Sequence, residues 1–61
     1  MKFILTNCST GEQQQVTREC VDRVKGSFYI DQIIRKVMQN GGCIEVHFEG
    51  YYDLKVEKKA N

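Results

Sequence analysis

A small α+β domain is the fold class this sequence predicts, on three observations. Residues 43–57 alternate apolar and polar side chains about Gly50, the pattern of a half-buried β-hairpin. Ile30, Ile33, Ile34, Val37 and Met38 recur at i, i+3, i+4, i+7 and i+8, the stripe of an amphipathic helix. Phe3, Ile4 and Leu5 open the chain with a short apolar run, suited to a strand at the middle of a sheet.

Asn7 to Gly11 supplies turn residues after that first strand. Two readings of residues 12–25 stay open. A helix is favoured because Val16, Cys20, Val21 and Val24 lie at i, i+4, i+5 and i+8, with Cys20 as a small apolar filler. Ser9 followed by Glu12 resembles a capping box, Glu19/Arg23 and Arg18/Asp22 are i,i+4 couples, and Gly26 is a natural stop. The other reading makes residues 13–20 the return strand of an N-terminal hairpin. The stripe beginning at Ile30 starts either at a Ser27 cap or at an Asp31 cap, and Asn40, Gly41 and Gly42 end it.

The C-terminal hairpin sets its own register. Centring the turn on Gly50 places Phe48 beside Tyr52, Val46 beside Leu54 and Ile44 beside Val56 on one face. His47 then meets Asp53, and Glu45 meets Lys55, on the other. A plain two-residue loop at Gly50 and Tyr51 would instead oppose Phe48 to Asp53 and mix the faces. The expected order is β-α-α-β-β, both helices on one face of a three-stranded sheet. The alternative is β-β-α-β-β, one helix on a four-stranded sheet. Residues 1–61 form a single domain, since this length holds one small core.

Composition narrows function. Nine basic against eight acidic residues give a formal charge of +1, which argues against a protein whose main task is gripping phosphate backbones. Three cysteines without framework spacing fit a reduced, cytoplasmic setting. The apolar start at Met1 to Leu5 is too short for a secretion signal, and no segment has transmembrane length, so no membrane is expected.

Chemistry-bearing residues are sparse. Cys43 and His47 share a strand face but lie about 13 Å apart along it, beyond the reach of a nucleophile–base pair. Cys8, Cys43 and His47 lack the close pairing that anchors zinc, so no metal and no cofactor are expected. The glycines fit helix stops and turns, with no phosphate-loop spacing around them.

The sequence therefore points to a non-enzymatic protein-binding module, an accessory protein or inhibitor docking on a larger intracellular protein. Its size is that of many viral or mobile-element accessory proteins. Tyr51 at the hairpin tip, His47 and Asp53 beside it, and Tyr29 near the helix junction are the candidate contact residues. Residues 52–57 are read as a sheet edge, and an unpaired edge there would invite a partner strand, including one from a second copy of the chain. The alternative is a nucleic-acid-binding regulator using Arg18, Arg23, Lys25, Arg35 and Lys36 on the helix faces.

Overall fold

The computed structural model describes residues 1–58. Within them the chain forms β1 (Lys2–Asn7), β2 (Gln13–Val16), α1 (Arg18–Lys25), α2 (Ser27–Asn40), β3 (Cys43–Glu49) and β4 (Tyr52–Glu57). The order β-β-α-α-β-β takes two helices from one sequence reading and four strands from the other. The sheet is antiparallel, with strand order β2-β1-β4-β3. The three-stranded expectation is thus corrected, and so is the edge: β4 is interior, paired to both β1 and β3, while β2 and β3 form the edges.

Residues 12–25 hold both predicted elements in succession. Gln13–Val16 pairs with β1, Phe3 opposite Val16 and Thr6 opposite Gln13. Thr17 then caps α1 from an extended conformation, its hydroxyl accepting from the Cys20 N–H at 3.3 Å. The Ser9/Glu12 capping box does not form. Ser9 lies in the β1–β2 loop, where its N–H and that of Thr10 donate to Asn7 Oδ1 at 2.9 and 3.2 Å. The Val16/Cys20/Val21/Val24 stripe also dissolves: Val21 is buried, Val16 is half-buried on β2, and Cys20 and Val24 are exposed. Cys20 is therefore not a core filler. The two i,i+4 couples do form, Arg18–Asp22 at 3.3 Å and Arg23–Glu19 at 3.7 Å.

Gly26 separates the helices. Its φ of 91° and ψ of 143° belong to a region open essentially to glycine alone, so the chain turns there and α2 restarts at Ser27. Gly26 occupies the cap position of α2 with no side-chain cap bond, so neither Ser27 nor Asp31 serves as its cap. At the far end the Gly41 N–H donates to the Val37 carbonyl at 2.8 Å. Ile30, Ile33 and Val37 are buried and Ile34 packs against the core, but Met38, at the border of the stripe, is exposed.

The core comprises Phe3, Val21, Ile30, Ile33, Val37, Phe48, Leu54 and Val56. Both helices contribute to it against one face of the sheet. Leu54 and Val56 are fully buried because β4 has a strand on each side and helices above. Full burial of one such side chain is worth about 1.5–3 kcal/mol. Ile44 and Val46 point to the same face but stay half-exposed, since β3 has a neighbour on one side only.

The hairpin body has the predicted register: Ile44 opposite Val56, Glu45 opposite Lys55, Val46 opposite Leu54, His47 opposite Asp53. Its tip differs. Glu49, not Phe48, is opposite Tyr52, and the register shifts between His47 and Glu49. The turn is therefore the two-residue loop Gly50 and Tyr51 after all. A bulge at Phe48 absorbs the extra residue and keeps Phe48 in the core. Gly50 has φ +59° and Tyr51 does not have positive φ, the sign pattern of a type II′ hairpin turn.

Candidate functional site

The hairpin tip and the helix-free face of the sheet make up the candidate site. Paired residues share a face, so this side carries Gln13 and Gln15 of β2, Lys2, Ile4 and Thr6 of β1, Asp53, Lys55 and Glu57 of β4, and Cys43, Glu45 and His47 of β3. Lys2 lies 3.8 Å and Lys55 3.7 Å from opposite oxygens of Glu57, so much of the charge is neutralised in place.

Tyr51 is 73% exposed at the tip. Its backbone is held from across the sheet, because the Cys8 N–H donates to the Tyr51 carbonyl at 2.6 Å. The β1–β2 loop that makes this contact is itself braced: the Asn7 N–H reaches the Glu12 carbonyl at 2.8 Å, and the Gly11 N–H reaches the Asn7 carbonyl at 2.7 Å. Tyr52, next in sequence, is 42% exposed, so Tyr51 is not the sole aromatic projecting there.

His47 Nδ1 lies 3.4 Å from Asp53 Oδ1, the couple that the register predicted. Asp53 also faces Cys8, which sequence reasoning did not connect to it. Its carboxylate, by hydrogen bonding and by its charge, pushes the Cys8 thiol above its ordinary range. The order of groups matters here. A nucleophilic cysteine needs a base beside sulfur and a carboxylate behind the base. Here the carboxylate is what meets the thiol, and the thiolate is disfavoured, the reverse of activation. Cys8, Cys43 and His47 form no metal site, and among the described residues no cluster of three or more His, Cys, Asp or Glu could hold an ion.

Tyr29, the fourth predicted contact residue, is on α2, at the helix junction and apart from the tip strands. Its neighbour Phe28 is 75% exposed and was not singled out from the sequence. Both belong to the first turn of α2, with Phe28 on the side away from Ile30, Ile33 and Val37. Lys25 places this junction near the hairpin: its Nζ sits 5.8 Å from the centre of the buried Phe48 ring.

The basic residues of the nucleic-acid reading do not gather into a free stripe. Arg18 bridges the helices, its guanidinium bound to Asp22 and to Asp31, both of which raise its affinity for the proton. Arg23 pairs with Glu19, and Lys25 rests over Phe48. Arg35 and Lys36 are exposed on α2.

By fold, then, the chain is a small α+β domain with a four-stranded antiparallel sheet covered by helices on one side. Comparison with known proteins gives no matching family model, no matching curated protein and no matching solved structure. Among the described residues no helix is long and apolar enough to cross a membrane.

Proposed function

We propose that this chain is a non-enzymatic binding module, an accessory protein or inhibitor that docks on a larger protein of the cytoplasm. Its contact surface is the hairpin tip with the adjoining sheet face: Tyr51 as anchor, Tyr52, His47 and Asp53 around it. The observation that carries this reading is Tyr51 itself, exposed on a tight turn whose backbone is pinned by the Cys8 N–H. An aromatic held rigidly in water gains contact area on docking and loses little conformational freedom. The Asp53 carboxylate, which raises the Cys8 thiol instead of activating it, supports the non-enzymatic part.

Affinity capture from the native cytoplasm tests it, with the unsubstituted chain and Tyr51→Ala side by side, each with and without nuclease. Tyr51→Ala should keep its circular dichroism and melting curve while binding weakens by about 1–2 kcal/mol, as for an anchor residue. Capture unaffected by Tyr51→Ala defeats the anchor. Capture that disappears with nuclease, or on charge reversal at Arg35 and Lys36, transfers the function to nucleic acid.

A further inference from the structure

We infer that β3 is a self-pairing edge: two copies of the chain join antiparallel along β3 and merge their sheets into one. The proposal extends beyond docking through Tyr51, which lies outside the paired segment, and does not rest on it.

β3 is one of the two edges of the sheet, with β4 on one side and, among the described residues, no strand on the other. It spans seven residues. On its helix-facing side Ile44 and Val46 stay half-exposed although their partners Val56 and Leu54 are fully buried. A strand laid against that edge would cover them and satisfy its unpaired backbone groups.

The identity of the occupant follows from the side chains. Directly opposed residues of an antiparallel pair share a face, so a copy whose helices lie on the same side as the first must pair residues of like parity. Among such registers, the one centred on Glu45 sets two carboxylates face to face and is disfavoured. The register centred on Val46 places Val46 against its own copy and Ile44 beside the copy's Phe48. On the open face it sets Glu45 opposite the copy's His47, twice, by the two-fold symmetry. Among the described residues Glu45 makes no ion pair, and the one ion-pair partner of His47 is Asp53 on its β4 side. Each residue is thus left with the complement of the other. A two-fold contact uses the β3 edge of both copies, so it closes as a pair of chains rather than running on. β2 fits this role poorly. It is four residues long, and of its two helix-side positions, Gln14 and Val16, only Val16 is apolar.

Sedimentation of the full chain from about 10 µM to about 1 mM tests the inference, over the affinity range expected of a short edge contact. A monomer–dimer equilibrium is expected. Glu45→Lys should weaken it roughly tenfold by removing the carboxylate that accepts from the copy's His47 ring, and adding His47→Glu should restore it to within about threefold. Circular dichroism confirms that each variant is folded. Amide hydrogen exchange reads the same contact without substitution: protection should rise with concentration along β3 and stay constant along β2. Tyr51→Ala should leave the dimer unchanged, which separates this contact from the docking site. A chain that is monomeric throughout, a dimer indifferent to Glu45→Lys, failure of the double exchange to rescue it, or protection gained along β2 overturns the proposal.

Discussion

The two hairpins of this domain are built on different physics. β3–β4 is held from below: Phe48, Leu54 and Val56 are buried, and the alternation of its side chains records which face meets the helices. β1–β2 is held through Phe3 on β1 and, along β2, chiefly at its loop. Gln13, Gln14 and Gln15 are all exposed, and the turn is organised by Asn7, which accepts from two backbone N–H groups through its side chain and exchanges two further backbone bonds with Gly11 and Glu12. A β pattern in sequence is a record of burial, not of backbone pairing. A strand most of whose side chains are in water leaves little such record.

Substitutions can break that comparison. Leu54→Ala should have the largest effect, removing about 2–5 kcal/mol from a fully buried position on an interior strand. In a domain this small that is most of the folding free energy, so urea titration should find it largely unfolded or unfolding at much lower denaturant. Asn7→Ala should cost about 1 kcal/mol, the usual net worth of solvent-accessible turn bonds, and the loss should show first as faster amide exchange at Ser9 and Thr10. Should Asn7→Ala match Leu54→Ala, the N-terminal hairpin would be as central to stability as the other. Gln15→Ala should change stability by less than about 0.5 kcal/mol, because its side chain contributes nothing to the core.

A last expectation concerns the place where the hairpins touch. The Asp53 carboxylate raises the Cys8 thiol, so the thiol proton is held more tightly in the folded chain than in the unfolded one. The stability this adds is present below the ordinary thiol range and is lost as pH rises through the raised value. Asp53→Asn removes the negative charge that opposes the thiolate. Alkylation of Cys8 at mildly alkaline pH, followed by mass spectrometry, should then speed up, whereas an unchanged rate would mean that the carboxylate does not govern this thiol.

The amino-acid sequence by itself determined the body of the C-terminal hairpin, the α2 stripe and its stop, and the i,i+4 couples of α1. Each of these is written in spacing: period two, period three to four, or a glycine where a helix must end. It also marked Tyr51 as exposed, since no register placed it in the core. Only the tertiary structure decided the rest. Residues 12–25 split at Thr17 because β1 offers Gln13–Val16 a pairing edge, a long-range opportunity absent from local pattern. β4 became an interior strand because β1 docks beside it across some fifty residues of chain, a separation of the order at which topology outweighs local preference. That same pairing carries Cys8 onto Asp53 and leaves β3, not β4, with its backbone open. Strand order depends on contacts between segments distant in sequence, and side-chain periodicity within a segment carries no information about which neighbour it will meet.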